Sequence, residues 1–172
     1  MAQNKRGPEL RKAQTPMKYL LMLFALCCIA EAKVLKGKVV NVHDGDTFTL
    51  LVGKEPPYKV RLDAIDAPEE KQAFGEVSRK ALAGLVAGKI VQVDWKSKDR
   101  FDRIIGRVTV DGVNVNLNQV NTGMAWHFKK YNQEKSFAQA ESAAKAQKLG
   151  LWKDANPLAP WEFRKQAKQR KG

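Results

Sequence analysis

"KVVNVHDGDTFTLLVGKEPPYKVRLD", residues 38–63, contains three strand-like segments separated by two turns. After the first turn, Phe48, Leu50 and Val52 recur at every second position, and residues 58–62 show the same alternation. A period of two is typical of strands with one buried face, and the Asp-Gly pair in the first turn is a hairpin signal. The stretch therefore predicts three consecutive strands.

A helix is predicted to follow these strands. Pro68 suits the first turn of a helix, and Glu69 and Glu70 suit its positively polarised end. Apolar side chains then recur at helical spacing from Phe74 to Leu85. We therefore expect Glu69 to lie at the start of this helix.

The rest of the chain predicts two more strands and then two more helices. The strands are expected at Lys89–Trp95 and Ile104–Val110, and the helices at about Val115–Asn121 and Glu134–Leu149. Strands and helices do not alternate throughout, as a parallel α/β architecture would require. The order predicts an α+β, mainly β, fold: a five-stranded antiparallel OB-fold barrel with three α-helices, one inserted after the third strand and two C-terminal.

The N-terminal segment has the features of a signal peptide. An apolar run of 12 residues, Tyr19–Ala30, follows Lys18 and leads into an A-x-A site that ends at Ala32. The run is shorter than the roughly 20 residues of a spanning helix, and a buried helix of the fold is the alternative. We expect cleavage after Ala32, a secreted or periplasmic protein without a membrane span, and loss of Cys27 and Cys28 with the leader.

The predicted mature chain is strongly basic. Residues 33–172 carry 26 Lys and Arg against 16 Asp and Glu, a net charge of +10. We expect one OB domain at residues 33–155 and a basic, proline-interrupted tail at residues 156–172. The charge favours an extended anionic partner, most simply nucleic acid, although solubility or contact with anionic lipid would also fit.

Three acidic residues are predicted to meet on one rim of the barrel. Asp46 closes the first turn, Asp66 ends the third strand, and Glu69 follows three residues later. Three adjacent carboxylates repel each other unless a cation sits among them. Oxygen donors without cysteine favour Ca²⁺ or another hard divalent ion, while ordinary turn and helix-start acids are the alternative. An EF-hand loop is excluded, because Thr49 stands where its glycine is required.

Two arginines are predicted to lie near this acidic group, where they could bind phosphate. Arg61 lies on the polar face of the third strand, and Arg103 ends the charged stretch "DRFDR" between the fourth and fifth strands. A guanidinium group can bind two phosphate oxygens at once. Carboxylates, a divalent cation and two arginines are the groups that phosphoryl transfer requires. Arg107 is the rival candidate for the role of Arg103.

Three motifs in order, "DGDT", "VRLDAIDAPE" and "DRFDRIIGRV", resemble the staphylococcal nuclease (thermonuclease) family over roughly residues 38–152. The resemblance implies a five-stranded OB barrel with three helices that hydrolyses DNA and RNA with one Ca²⁺ ion. It assigns metal ligation to the carboxylates of Asp46 and Asp66 and to the backbone carbonyl of Ala67. It assigns phosphate binding to Arg61 and Arg103, general-base catalysis to Glu69, and support of the turn to Asp44.

The sequence departs from the family pattern at two positions, Ala67 and the residue before Arg103. Ala67 stands where the archetype has threonine, which is tolerable if only its carbonyl binds the metal. Asp102 replaces a small residue before Arg103, and is expected to weaken phosphate binding there. Since the motifs themselves are intact, we expect the family's chemistry to hold.

A nucleic-acid surface is predicted beside the acidic rim, because rings and cations together suit base stacking and phosphate contact. Trp126 is expected to belong to the core, and His127 to be a surface histidine. The expected nucleic-acid contacts are Lys98, Arg100, Phe128, Lys129 and Tyr131.

The resulting hypothesis is a secreted, monomeric, Ca²⁺-dependent endonuclease for DNA and RNA without strong sequence preference. In the family, water attacks phosphorus and the 5′-oxygen leaves, which gives 3′-phosphate ends. No protein partner is implied. Two other classes stay open: a catalytically silent nucleic-acid-binding OB domain, and a cationic protein that associates with anionic surfaces.

Overall fold

The computed structural model describes residues 33–170, which contain eight strands and four α-helices. The strands are β1 (Lys33–Val42), β2 (Thr47–Leu51), β3 (Tyr58–Leu62), β4 (Ile65–Asp66), β5 (Ile90–Lys98), β6 (Ile104–Val110), β7 (Val113–Asn114) and β8 (Trp126–His127). The helices are α1 (Gly75–Val86), α2 (Val115–Asn121), α3 (Lys135–Ala146) and α4 (Pro160–Gln169), with a 3₁₀ turn at Gly150–Lys153. The predicted leader, with both cysteines, lies outside the described residues.

Five strands close into the predicted barrel in the order β3-β2-β1-β5-β6, and β3 pairs again with β6. Four of these pairings are antiparallel, but the closing one is parallel, with Val60 opposite Ile104. The predicted five-stranded antiparallel OB barrel is therefore confirmed, with four antiparallel pairings and one parallel pairing. An odd number of strands cannot alternate in direction all the way round a closed ring, so one neighbouring pair must run the same way.

The core of the barrel follows the period-two pattern that predicted the strands. Phe48, Leu50, Val60 and Leu62 are at most 1% exposed. In β6 buried and half-buried positions alternate along the whole strand. Since successive side chains of a strand point to opposite faces, the polar residues between these core positions are directed to the outside of the barrel.

Helix α1 begins later than predicted, at Gly75 instead of Pro68. The intervening residues form turns, in which Gln72 N–H donates to the Glu69 carbonyl at 2.9 Å and Gly75 N–H donates to the Gln72 carbonyl at 2.9 Å. A Cβ atom on Gly75 would lie 2.1 Å from the Glu69 carbonyl oxygen, so this close approach requires glycine. Helical spacing located the helix but not its start, and Glu69 therefore lies on a loop.

The predicted basic tail instead contains helix α4, which makes four helices in the described residues rather than three. Pro160 occupies the first turn, where its missing N–H costs nothing. Trp161 stacks on Phe128 with ring centroids 5.4 Å apart and packs edge-on against Trp126 at 5.5 Å. The prolines that suggested an irregular tail therefore lie just before and at the start of helix α4, which packs against the domain.

The short strand β8 explains why the prediction of a surface histidine at 127 was wrong. His127 pairs with Ile65 of β4 and is 2% exposed. Its backbone N–H donates to the buried Glu141 carboxylate of α3 at 3.1 Å, and its Nε2 lies 3.0 Å from Asn132 Oδ1. The β4–β8 pairing draws this stretch into the structure, and it also fixes Asp66 opposite Trp126.

No helix within residues 33–170 has both the length and the apolar composition that crossing a bilayer requires.

Gly45 is predicted to be indispensable for the turn between β1 and β2. A Cβ atom there would lie 1.8 Å from Ser78 Oγ and 2.8 Å from Ala67 Cβ. We expect Gly45→Ala to lower the free energy of unfolding by about 1–3 kcal/mol, because an overpacked core must shift. Urea denaturation of the purified variant measures this change.

Gly84→Ala provides the matched control for that experiment. Gly84 lies in α1, and a Cβ atom there would meet nothing within 4 Å. We expect this variant to be more stable than the wild type by about 0.5–1 kcal/mol, because alanine is the better helix former. Equal effects of the two substitutions would contradict the role assigned to Gly45.

Candidate active site

Asp46 and Asp66 lie on one rim of the barrel and are joined by a single guanidinium group. Arg61 donates from Nη1 to Asp46 Oδ2 at 2.9 Å and from Nη2 to Asp66 Oδ1 at 2.8 Å. The two aspartates are 6% and 1% exposed. The structure therefore brings these two carboxylates to the same guanidinium group, that of Arg61.

The barrel itself places Arg61 at this rim. Val60 and Leu62 point into the core, so the side chain between them points outward. The β2–β3 register sets Arg61 opposite Thr47, the residue after Asp46. Alternation along β3 and the register of one hairpin therefore suffice to bring the guanidinium group to the first aspartate.

The turn that carries Asp46 is fixed by further hydrogen bonds. Asp46 Oδ1 accepts from Thr47 Oγ1 at 2.8 Å, and Asp46 Oδ2 accepts from Ala67 N–H at 3.0 Å. The Asp44 carboxylate accepts from Asp46 N–H at 2.9 Å. Asp44 thus supports the turn, as the resemblance implied, and Ala67 lies directly against the Asp46 carboxylate.

The third carboxylate, Glu69, is joined to this pair by an arginine that the sequence did not predict as a site residue. Arg164 of α4 donates from Nη2 to Asp66 Oδ2 at 2.7 Å, and from Nη1 to Glu69 Oε1 at 2.6 Å and Asp66 Oδ1 at 3.2 Å. The cations among the three acids are therefore Arg61 and Arg164. Proline before Trp161 was the local sign of a helix here, but nothing local indicates where such a helix docks.

The acids still carry more negative charge than these two arginines balance. Burial and the neighbouring Asp46 carboxylate raise the pKa of Asp44 to about 7. Burial also raises the pKa of Asp66, against the opposing hydrogen bonds from Arg164. Burial works to lower the pKa of Arg164, but the bonds to Asp66 and Glu69 outweigh it and raise that pKa. This rim favours an additional cation.

The acids can therefore contribute to a metal site, although they do not form a ready-made one. Within residues 33–170 no group of three or more acidic, histidine or cysteine side chains is arranged to hold a metal ion. Arginines bind Asp46 Oδ2 and both carboxylate oxygens of Asp66. The donor atoms are all oxygens, which suit hard divalent cations. Together with the raised pKa of Asp44, this chemistry fits such an ion.

Arg103 lies at the same cavity, whereas its rival Arg107 is engaged elsewhere. The Arg103 guanidinium group pairs with Asp99 at 2.7 Å and lines the cavity. Arg107 pairs with Asp63 at 2.8 Å and with Glu134 at 2.6 Å. Position therefore favours Arg103 as the second phosphate-binding arginine.

A cavity of about 1120 Å³ brings the predicted residues together. It is larger than most small-molecule sites, which hold roughly 300–1,000 Å³, and it suits a segment of a polymer. Helix α4 adds four side chains to its wall: Trp161, Arg164, Lys165 and Lys168. The predicted residues in the wall are Asp44, Asp46, Arg61, Asp66, Ala67, Glu69, Lys98, Arg100, Arg103, Phe128 and Tyr131.

Lys129 is the predicted nucleic-acid contact that does not line this cavity. Its ammonium group pairs with Glu141 at 2.9 Å, in a smaller hollow next to Trp161. Glu141 is 3% exposed and also pairs with Lys145. Because a buried carboxylate requires a partner, Lys129 is better explained by the charge of Glu141 than by a substrate.

The aromatic residues and cations of the predicted nucleic-acid surface differ in how far neighbouring side chains cover them or pair with them. Trp161 covers one face of Phe128 in a parallel stack, and Tyr131 packs edge-on against the same ring at 4.8 Å. Tyr131 is itself 68% exposed, so it is the ring open to a base. Lys98 pairs with Asp102 at 2.8 Å, which places the atypical Asp102 against Lys98.

The described residues thus form a closed OB barrel whose buried aspartates, bridged by arginine, line a large cavity. The family model described as staphylococcal nuclease homologue matches residues 59–154, more than half of the chain. The chain belongs to this family.

Relatives extend the similarity beyond the matched range. An uncharacterized endonuclease of Haemophilus influenzae is 41% identical over 149 residues, which cover 87% of this chain and 84% of that protein. Protein ParB of Escherichia coli is 40% identical, with 80% and 83% covered. A micrococcal nuclease of Shigella flexneri is 37% identical, with 85% and 95% covered.

Arg61 is predicted to be essential for stability as well as for the site. Its side chain is 14% exposed and balances two buried carboxylates. We expect Arg61→Met to lower the free energy of unfolding by about 3 kcal/mol, because it leaves buried charge without a partner. Urea denaturation at neutral pH measures this loss.

The control is Arg79→Met, which removes an ion pair on the surface of α1. Arg79 pairs with Glu76 at 2.7 Å, and both side chains are substantially exposed. Such pairs contribute less than about 1 kcal/mol. If the two variants unfold at the same urea concentration, Arg61 does not neutralise the aspartates as described.

Proposed function

We propose that this protein is a Ca²⁺-dependent endonuclease that hydrolyses phosphodiester bonds of DNA and RNA without strong sequence preference. The observation that carries the proposal is the bridge from Arg61 to Asp46 and Asp66, with Glu69 and Arg103 at the same cavity. These five side chains are the groups that phosphodiester hydrolysis requires.

The comparisons support the reaction class. Members of the staphylococcal nuclease family are generally metal-dependent nucleases, and the relatives include an endonuclease and a micrococcal nuclease. Membership of the family makes this chain a nuclease. The identity of the ion, its number and the two kinds of nucleic acid are our inference.

In this proposal Asp46, Asp66 and the Ala67 carbonyl would hold one Ca²⁺ ion, with Asp44 behind them. Oxygen ligands of this kind suit Ca²⁺, and a bound ion would polarise a phosphate oxygen of the substrate. Asp44 lines the same cavity, and its carboxylate accepts a hydrogen bond from the Asp46 N–H. The excess of negative charge at the rim would therefore favour Ca²⁺ binding.

The side chains of the site divide the remaining work. Glu69, 40% exposed at the cavity, accepts a proton from the water whose oxygen attacks phosphorus. Arg61 and Arg103 donate hydrogen bonds to the phosphate oxygens, on which negative charge increases. The bond from phosphorus to the 5′-oxygen breaks, that oxygen takes up a proton from solvent, and the phosphate stays on the 3′-oxygen.

Magnitudes show why the groups must act together. Phosphodiester hydrolysis requires roughly 20 kcal/mol of barrier lowering, while one well-placed donor supplies about 3–4 kcal/mol. No single residue of the cavity can supply the whole effect. A silent nucleic-acid-binding barrel would have no use for Glu69, which lines the cavity beside the arginines.

Cleavage is predicted to require both the ion and the site residues. We expect the mature protein to cut supercoiled plasmid and RNA in Ca²⁺ but not in EDTA, with linear plasmid appearing because cuts are internal. Arg61→Ala and Glu69→Gln should each lower kcat/KM by about 10²–10⁴-fold. Product ends should accept a polymerase only after phosphatase treatment, because they carry 3′-phosphates.

Arg79→Ala is the control, because it removes the same charge outside the cavity. Cutting that survives both EDTA and Arg61→Ala would contradict the proposal. Binding without cutting would favour the silent OB domain. Association with anionic vesicles that is unaffected by Glu69→Gln, in the absence of any cutting, would favour a cationic surface protein.

We also propose that the protein is exported and cleaved after Ala32, on the strength of the apolar run and the A-x-A site. When the full chain is expressed in a bacterial host, the protein in the periplasm or medium is predicted to begin at Lys33. Replacing Ala30 and Ala32 by leucine should block processing. Protein that stays inside the cell with its leader intact would contradict export.

A further inference from the structure

The loop that carries Glu69 is held from outside by the C-terminal part of the chain. We define the Glu69 loop as residues 69–74 and the clamp segment as residues 158–164. Gln72 Nε2 donates to the Leu158 carbonyl, while Gln72 Oε1 accepts from Glu69 N–H at 3.2 Å. Arg164 holds the Glu69 carboxylate at 2.6 Å. The clamp segment therefore contacts two side chains of this loop, the Gln72 amide and the Glu69 carboxylate.

The clamp segment is itself firmly attached to the domain. Ala159 and Pro160 are buried, and Trp161 packs on Phe128 and Trp126. Aromatic pairs contribute about 0.5–1.5 kcal/mol each beyond the burial of their surface. Arg164 lies one turn further along α4, so its guanidinium group projects from an anchored helix.

Glu69 depends on this support more than the other acids do. Asp46 and Asp66 are bonded to Arg61 on the barrel, whereas Glu69 lies on turns. Among residues 33–170, Arg164 is the only side chain that donates a hydrogen bond to the Glu69 carboxylate. The same guanidinium group binds both oxygens of Asp66, and so fixes Glu69 relative to the buried aspartate.

We propose that Arg164 is a positioning residue of the reaction, and that the clamp segment holds the Glu69 carboxylate in place for proton transfer. The inference rests on the proposed role of Glu69 as the base. The matched family range ends at residue 154, so it assigns nothing to this segment. A displacement of about 1 Å in a reacting group can lower a rate by about 10²-fold, which makes such a support consequential.

A different role for Arg164 makes different predictions. If Arg164 bound a substrate phosphate directly, its loss would raise KM whether or not Glu69 were present. A residue that acts through Glu69 should instead lower kcat, and only while Glu69 is present. The two roles are therefore separable by kinetics.

The first experiment tests the clamp without any activity. In Arg164→Gln, amide hydrogen exchange of residues 69–75 should become faster by about 10-fold, since the loop loses a partner and opens more often. Glu69, Gln72 and Gly75 N–H groups are the reporters, because all three are hydrogen bonded within the loop. Arg170→Gln removes the same charge from an exposed position beyond the end of α4 and should change nothing. Unchanged exchange in Arg164→Gln would overturn the clamp.

The second experiment is a double-mutant cycle on cleavage. We expect Arg164→Gln to lower kcat by about 10–100-fold with nearly unchanged KM, and Arg164→Lys to restore part of the loss. In a Glu69→Gln background the same substitution should change kcat by less than about twofold. Equal losses in both backgrounds, or a rise in KM alone, would overturn positioning.

The outcomes also separate this inference from the proposed function. If the wild type cuts neither DNA nor RNA in Ca²⁺, the nuclease proposal fails and with it the role of Glu69, whatever the exchange experiment shows. If the wild type cuts and the cycle is additive, the nuclease stands and the clamp fails as a catalytic device.

Discussion

The site depends on one guanidinium group placed between two buried carboxylates. Without Arg61, Asp46 would lose its arginine partner at a position that is 6% exposed, and Asp66, which is 1% exposed, would keep only Arg164 among the described residues. Arg61 can reach both because β3 is paired with β2 on one side and followed at once by β4. The closed barrel therefore fixes the positions of these charges, and the less regular segments of the chain pack around them.

This arrangement explains how a basic protein can contain a concentrated acidic site. The acids are not dispersed among lysines but are bonded to two arginines, and burial together with the neighbouring Asp46 carboxylate raises the pKa of Asp44. Farther along the cavity the wall is basic, with Lys98, Arg100 and Lys168. An anionic polymer is attracted by the surrounding wall, and a divalent cation is attracted by the acidic centre.

Sequence patterns predicted the parts of the fold that depend on local periodicity. The bounds of β6 and the alternation around Arg61 follow from period-two burial, and the motif around Asp66 identified the acidic rim. The parts that could not be predicted depend on contacts between distant residues. The buried position of His127 is set by pairing with β4, and the parallel β3–β6 pair follows from closing a ring of five strands.

The Glu69 region shows the same limit most clearly. Helical spacing after Phe74 did not show where α1 begins, because local rules favour Pro68 and nothing marks Gly75, which follows Phe74 without a side-chain capping bond. The choice is made by the close approach of Glu69 to Gly75. Likewise, the charge of residues 156–172 was visible in the sequence, but the docking of Arg164 depends on an aromatic anchor that no local pattern encodes.

Two different parts of the structure hold the acids of the site. The aspartates and Arg61 belong to the barrel, so their geometry is as stable as the fold itself. Glu69 is positioned by α4, which contacts the barrel mainly through Trp161 and two buried neighbours. Local opening is cheapest where few buried contacts must be broken. Displacement of α4 would therefore release the Glu69 carboxylate from Arg164, while Arg61 would stay bonded to Asp46 and Asp66.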